Sequence, residues 1–447
     1  MRDDLGRPDV KNSRRQFLKE MSVAGGALAA LPGVVVASAA AVGSLPSRSG
    51  TQPRVEQDVI QIRNPKRLGA DHLVAERIRV GEKGEYKPCI AKVRGNELIL
   101  INYLSDVQPL PNYLYRSLDG GRTWSSPDKT AIPAGGEPYL TRLKDGTLLL
   151  TGETSWGSRS EDGGRTWTRN LQPQEFAAKV VSILSRNILQ MRDGSLLAIA
   201  DVPVKGKAFQ YGNEFVARSR DGGRTWAESY PASVEGVPSG YPWSIFAEAH
   251  LWQARSGKLY AVARVDHRRY RIAGRKLSNL EMASVAAELF HWGYPLVKDI
   301  SETEFDHLNH LKVYSSTDLG KTWQEGPDLG DYGIMYQSIL RLRDGRLLLT
   351  FTRRSIDPPL GVRAVLGTET EDGFEFDFQH DLIMLDTKTP IGRGSGGGFG
   401  PTVQLDDGTL VTSYSYWSPD DQRRPNDWKT PGPTQCEVVR WRLPAVK

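Results

Sequence analysis

Cysteine is nearly absent: only Cys89 and Cys436 occur in 447 residues. That excludes a disulfide scaffold and a cysteine-rich metal site, and two buried thiols are expected. Histidine is scarce as well, at seven. His307 and His310 have a ligand-like spacing, but no cysteine or third histidine stands near them, so no metal or other cofactor is expected. Charge of one sign is equally thin. The formal surplus is +5, falling to +3 without the first 39 residues, which gives no case for nucleic-acid binding. Long apolar runs are missing after residue 39, so nothing beyond it reads as a membrane span.

What is plentiful points elsewhere. Hydrophobic residues make up 39% of the chain and charged residues 25%, with 45 glycines and 27 prolines. That composition supports a large core crossed by many turns, as in an all-β protein. The N-terminus reads as a targeting segment. Ser13-Arg14-Arg15-Gln16-Phe17-Leu18-Lys19 precedes a weakly apolar stretch from Met21 to Val36, and Ala37-Ser38-Ala39 offers small residues for cleavage. A paired arginine before such a run resembles a twin-arginine export signal, which implies a periplasmic or secreted protein with no membrane attachment after cleavage. Residues 1–39 are expected to be the signal, 40–54 a flexible linker, and 55–447 the folded part, acting as a monomer.

Two repeats interlock in the folded part. The first is an eight-residue phrase, Ser-x-Asp-x-Gly-x-Thr-Trp, at Ser117–Trp124, Ser160–Trp167, Ser219–Trp226 and Ser316–Trp323, with a worn copy at Thr370-Glu371-Asp372-Gly373. Its Asp suits bracing backbone N–H groups in a tight turn, its Gly supplies positive φ, and its Trp packs between sheets; these aspartates are turn braces, not catalytic acids. The second repeat is a hairpin with turn glycines Gly95, Gly146, Gly194, Gly257, Gly345 and Gly408. Asp-Gly between apolar runs is a strong hairpin signal. Six hairpins predict an all-β fold, a six-bladed β-propeller of four-stranded antiparallel blades, at roughly 86–130, 137–175, 182–232, 246–328, 336–380 and 399–443. Residues 55–80 are expected to add a ring-closing strand. Blade four carries an insertion near 265–311, in which Ser278 to Trp292 has the spacing of an amphipathic helix.

The hairpin turns and the eight-residue phrases share one end of each blade. The other end forms a funnel around the axis, where function is expected. Counting back from the turn glycines places Tyr86, Glu137, Ser185, Glu248, Tyr336 and Phe399 at the starts of the inner strands, with Lys87 and Arg186 one step further in. Counting forward places Asn102, Glu153, Asp201, Arg264, Thr352 and Ser415 where the second strands leave, with Arg353 and Tyr416 one step on. Charges of both signs converging on one mouth suit a polar, anionic ligand. A solvated rim closed by its own salt bridges is the other reading.

The eight-residue phrase is similar to the Asp-box, or BNR repeat, and with the hairpins it resembles the sialidase superfamily across nearly the whole folded part. Sialidases hydrolyse terminal sialic acids. Three arginines hold the sugar carboxylate, a Tyr helped by a Glu is the nucleophile, and an Asp is the acid/base, an exception to the two-carboxylate pattern of most glycosidases. By that resemblance Glu248 and Arg264 are similar to the family's glutamate and second arginine, and Arg363 stands near the place of the third. Two positions depart. Lys87, in Tyr86-Lys87-Pro88-Cys89, keeps the charge of the first arginine without its fork. Phe399 occupies the nucleophile's place in blade six. Asp106, the carboxylate of the blade-one loop before its Asp-box, stands for the acid/base.

The missing tyrosine has substitutes in Tyr336, one blade earlier, and in Tyr414 or Tyr416 at the end of blade six's second strand. A carboxylate mechanism using Glu137 and Glu248 is the alternative. Lys87, Arg186, Arg264, Arg353, Arg363, His267 and Tyr416 are candidate substrate contacts, and His250 and His267 also suit lyase-type base catalysis. The leading expectation is an exported glycoside hydrolase taking a terminal, acidic sugar of a glycan. Two others stay open: a non-catalytic glycan- or protein-binding propeller, and a polysaccharide lyase. Replacing Arg14 and Arg15 with Lys is expected to leave uncleaved precursor in the cytosol, seen by cell fractionation; unchanged export would overturn the reading of residues 1–39.

Overall fold

Apolar runs joined by Asp-Gly turns have one ready solution, the antiparallel hairpin. The computed structural model describes residues 55–104, 112–129, 136–152, 155–169, 182–183, 185–201, 214–226, 228–237, 245–265, 310–330, 333–353, 359–388, 399–417 and 434–444. Five of the six expected turns close alike. Leu143 N donates to Thr147 O at 2.8 Å, and the same bond recurs from Met191, Ala254, Leu342 and Leu405 at 2.8–2.9 Å. The turn at Gly95 is tighter, with Arg94 opposite Glu97. The described residues are all-β and contain no helix. The expected signal and linker, the insertion helix, Asp106, Glu153 and His267 lie outside them.

Among the described residues the strands pair into six antiparallel units. The first holds Glu85–Arg94, Glu97–Leu104, Asn112–Ser117 and Asp128–Lys129. The second holds Tyr139–Arg142, Leu148–Gly152, Ser155–Ser160 and Thr168–Arg169. In the third the inner strand is in two pieces, Ser182–Ile183 and Leu189–Gln190, both on Leu196–Asp201, followed by Glu214–Ser219 and Glu228–Pro231. The fourth holds His250–Gln253, Leu259–Val265, His310–Ser316 and Thr322–Leu329. The fifth holds Ile334–Arg341, Arg346–Arg353, Gly361–Glu369 and Phe374–Phe376. The sixth pairs Thr402–Gln404, Leu410–Trp417 and Thr434–Trp441, and its fourth strand, His72–Val80, comes from the other end of the sequence. Glu56–Arg63 pairs with that strand and reaches Leu382–Ile383 behind the fifth unit.

Side chains alternate between the two faces of a strand, and here both faces are apolar. Leu98, Ile99, Leu100 and Ile101 are all fully buried. Leu98 and Leu100 join Val411 and Val438 of the sixth unit, while Ile99 and Ile101 join Leu148 and Leu150 of the second. Leu149 then meets Leu196 and Ala198 of the third, and Leu197 and Ile199 meet Ala261 and Ala263 of the fourth. Val262 and Val313 pack with Leu347 and Leu349 of the fifth, and Leu348 and Val362 with Leu410 and Tyr414 of the sixth. Hydrogen bonds between neighbouring units follow the same order. They run from Leu140 N to Cys89 Sγ (3.2 Å), Ile188 N to Thr141 Oγ1 (3.0 Å), Arg186 N to Ala249 O (2.6 Å), Gln337 Nε2 to Glu248 O (2.7 Å), Phe399 N to Thr352 Oγ1 (3.0 Å), and Ser413 Oγ to Pro88 O (3.2 Å). The last links the sixth unit to the first. Both cysteines are free and buried.

The eight-residue phrases all fold alike, next to the hairpin turns. Ser Oγ donates to Asp Oδ1 at 2.8 Å in all four. The same Ser Oγ accepts the N–H of the glycine two residues after the Asp (Gly121, Gly164, Gly223 and Gly320) at 2.8–2.9 Å, and Thr Oγ1 donates to Asp Oδ2 at 2.5–2.6 Å. That glycine needs its lack of a side chain: Gly223, at φ +88°, would put a Cβ 3.1 Å from Leu149 Cδ2. Trp124, Trp167, Trp226 and Trp323 each pack against the preceding unit. Burial opposes ionisation of Asp119, Asp162, Asp221 and Asp318, but the hydroxyl and amide hydrogen bonds outweigh it and hold each below the ordinary value of 3.8, Asp162 at about 2. A carboxylate depressed on folding adds stability above its ordinary pKa and loses it as pH falls through the folded value. Unfolding free energy, read from urea melts, should therefore drop between about pH 4 and pH 2, and less steeply in Asp162→Ala; parallel slopes would refute the bracing role.

Candidate functional site

One backbone feature marks the start of five inner strands. Lys87, Glu137, Glu248, Tyr336 and Phe399 have φ of 48°, 51°, 54°, 56° and 73°. Holding a residue with a Cβ in this left-handed region costs about 1–3 kcal/mol, and such strain clusters at functional sites. The ladder slips between Tyr86 and Cys89 and between Met335 and Ser338, as at a β-bulge, which re-aims a side chain. Neighbouring units hold the turned residues in place. Gln337 Nε2 donates to Glu248 O at 2.7 Å and also to Val262 O, and Thr352 Oγ1 accepts Phe399 N at 3.0 Å. The third unit contributes differently. Ser185 bridges Ala249 in parallel, and Arg186 N donates to Ala249 O.

The side chains so aimed converge. Lys87 Nζ pairs with Glu137 Oε1. Arg186 Nη2 lies 2.9 Å from Glu137 Oε2 and 3.3 Å from Glu248 Oε1, and Arg264 Nε lies 3.3 Å from Glu248 Oε2. Five charges thus alternate in sign from Lys87 to Arg264, three cations around two carboxylates. Two rings close the other side. Tyr336 and Phe399 have centroids 5.2 Å apart at 51°. Arg186 Cζ stands 4.0 Å from the Phe399 centroid and 4.7 Å from that of Tyr336, and Lys87 Nζ is 4.7 Å from Tyr336 and 5.3 Å from Tyr86. The side chain of Arg186 is 5% exposed, those of both glutamates 11% and that of Arg264 13%. Charges this sheltered interact far more strongly than on a surface.

Other candidates go elsewhere. Arg353 and Arg363 line a cavity of about 740 Å³ with Arg67, Phe351, Phe376 and Phe378. Arg363 Nη2 donates to Pro359 O at 2.6 Å. Tyr416 is buried with Lys388 Nζ 4.7 Å from its ring centroid, and burial pushes its hydroxyl up to about 12. Tyr414 is fully buried against Arg77 and Glu437. His250 lies in the ladder opposite Val262 and accepts Ile339 N at 3.4 Å. Burial pushes its pKa down to about 4, so it is a neutral packing group between the fourth and fifth units. Gln337 was missed; a polar residue inside the apolar run Ile334–Leu340 was the available signal. The contact of Phe399 with Arg186 needs the assembled centre to be seen.

No protein-family model and no curated protein matches the sequence. Among solved structures, a protein of unknown function from Dyadobacter fermentans is similar at 18% identity over 87% of this chain and 99% of that one, with a TM-score of 0.54. A Trypanosoma rangeli sialidase is similar at 15% identity over 82% of this chain and 56% of its own, with a TM-score of 0.44. A Hadza microbial sialidase is similar at 16% identity over 74% and 63%, also with a TM-score of 0.44. This chain spans just over half the length of the Trypanosoma enzyme. The Dyadobacter likeness shows a shared fold and no chemistry; the two sialidase likenesses are too slight to bear on either.

Removing one partner from a buried charge pair costs about 3–5 kcal/mol, because the other charge is left uncompensated. Glu137→Gln removes the carboxylate that Lys87 and Arg186 share, so urea unfolding should show a loss of that size. Lys87→Met combined with Glu137→Met should recover part of it. A loss under about 1 kcal/mol, the range of an exposed pair, would show that solvent screens the cluster.

Proposed function

We propose that this chain is an exported six-bladed β-propeller of the sialidase superfamily, working as a glycoside hydrolase on a terminal, acidic sugar of a glycan. The blade count is supported by the cyclic order of packing and of hydrogen bonds between neighbouring units, in which the sixth unit returns to the first. The activity is supported by one observation above all: Glu137 and Glu248 converge on a single guanidinium nitrogen, with the Tyr336 ring against the same arginine.

That arrangement supports a set of roles. Each glutamate lies between two cations, which suits a charge partner or base rather than a proton donor. Two carboxylate oxygens 2.9 and 3.3 Å from one nitrogen are also closer together than the roughly 6.5–9.5 Å that an inverting pair needs to admit water. The geometry therefore favours Tyr336 as nucleophile, with Glu248 on the same arginine, over a Glu137/Glu248 acid–base pair. The acid falls to Asp106. Lys87, Arg186 and Arg264 supply the positive charge for a sugar carboxylate.

A non-catalytic glycan-binding propeller is the second reading, favoured by Phe399 in the nucleophile's place and by a cluster that satisfies so many of its own charges. Aryl glycosides of acidic sugars separate the readings. Release of the aryl group marks a hydrolase, absorbance from an unsaturated product marks a lyase, and binding without turnover marks a binding module. In a hydrolase, Glu248→Gln should lower kcat by about 10²–10⁴, the usual share of a positioned acid or base, while ligand binding stays measurable. Undiminished turnover in that variant would sink the site assignment.

A further inference from the structure

Where the ring closes, one buried acid is left over. Arg77, on the closing strand His72–Val80, spends its Nε on Asp58 and its Nη1 on Leu385 O at 2.8 Å, on the Tyr414 hydroxyl and, at 3.5 Å, on Glu437. Lys388 Nζ lies 2.8 Å from both Glu437 oxygens, and the Tyr414 hydroxyl donates to Glu437 Oε1. Asp386 stands beside these groups and receives neither cation's hydrogen bonds. It is fully buried; its Oδ1 accepts Lys388 N at 3.1 Å, and its Oδ2 has no hydrogen-bond partner. Gly361, whose Cβ would stand 2.6 Å from that Oδ2, closes one side of it with backbone.

The groups around Asp386 come from every element of the seam. Asp58 is on Glu56–Arg63, Arg77 and the exposed Arg79 on the closing strand, Tyr414 and Tyr416 on Leu410–Trp417, and Glu437 on Thr434–Trp441. Lys388 belongs to Asp386's own segment, and the fifth unit offers Val362 O, which accepts Asp386 N at 2.9 Å. Once ionised, Asp386 is a third carboxylate sharing Arg77 and Lys388, and an undercompensated buried charge is costly.

We propose that Asp386 makes closure of the ring pH-dependent: as the neutral acid it lets the strand His72–Val80 seat, and as the carboxylate it loosens that strand. The inference goes beyond the glycosidase reading and does not rest on it. Burial raises the Asp386 carboxyl to about 7 from the ordinary 3.8; Arg77 pulls the other way and Glu437 adds to the rise. The closed ring therefore holds the proton more tightly than an opened seam that admits water. Closure is strongest at about pH 4 and weakens as pH rises to about 7, by up to about tenfold per unit, then changes no further. The seam adjoins the candidate site, since Ser413 Oγ, next to Tyr414, donates to Pro88 O, next to Lys87, at 3.2 Å.

The test is amide hydrogen exchange on the full chain from pH 5 to pH 8, corrected for the intrinsic rate, comparing His72–Val80 with Glu97–Leu104 of the first unit. Protection of the closing strand should fall at least about tenfold between pH 5 and pH 7, while that of Glu97–Leu104 changes less. Asp386→Asn, which stays neutral, should flatten the fall and leave the strand better protected than wild type at pH 8. A readout on the unmutated protein guards against a variant that misfolds: the carboxyl carbon resonance of Asp386 should titrate near pH 7. A midpoint near 4, or a fall that persists unchanged in Asp386→Asn, would overturn the proposal. So would equal losses in both strands, which would make Asp386 a determinant of overall stability and not of closure.

Discussion

The paired strands of each unit are apolar on both faces, and such a sheet is stable only between two others. A stack would leave an apolar face at each end. The cyclic order of packing leaves none, and Leu98 through Ile101, shared between two junctions by simple alternation, show how one strand serves both neighbours. The weak point of any such ring is where the chain's two ends meet. Here the last unit takes its fourth strand, His72–Val80, from the opposite end of the sequence. Arg77 on that strand reaches Asp58, Tyr414, Leu385 O at 2.8 Å and Glu437 at 3.5 Å, and Lys388 Nζ lies 2.8 Å from both Glu437 oxygens. Burial raises Asp386 to about 7, against the pull of Arg77. A different strand in this slot would leave Glu437 and Asp386 short of a cation. The cost of that alternative, more than any net gain from the pairs, selects the N-terminal strand.

The same closure creates the centre. The inner strands of neighbouring units bond one another, and a regular strand there would direct alternate side chains into the two junctions. A left-handed residue at the start of the strand breaks that alternation and sends one side chain inward. Its repetition at Lys87, Glu137, Glu248, Tyr336 and Phe399 makes the conformation a property of the repeat, not an accident of one loop. The strain is tolerated because the units brace one another, as Gln337 does when it bonds Glu248 O from the next sheet. Stability of the ring and geometry of the site are therefore one problem.

How far the sequence carries depends on the range of each signal. Turn chemistry is local, so hairpins and Asp-box turns were legible from eight-residue phrases. Glu137, Glu248, Tyr336 and Phe399 were legible because a repeat fixes their distance from the turn glycine. The same count landed on Tyr86 in the first unit, one residue short of the turned position at Lys87, because the Gly95 turn is tighter. It also gathered Arg353 with the mouth residues. Thr352 does face the sixth unit through Phe399, but the next residue along a strand points to the other face, and Arg353 lines the cavity beside Phe351. Proximity in sequence misled at His250, two residues past Glu248 and already inside the ladder. The network around Arg77 gave no signal at all. Its members are single charges in apolar strands, more than three hundred residues apart between Arg77 and Glu437.

Phe399 shows why a departure from a family pattern should be read through its contacts. As a missing hydroxyl it speaks only of lost chemistry. As a ring 4.0 Å from a guanidinium it makes a contact that a hydroxyl does not supply, because the attraction comes from the face of the ring. Arg186 stands over one ring face and Lys87 near the adjoining Tyr336. The chain of charges begins and ends with a cation, Lys87 at one end and Arg264 at the other.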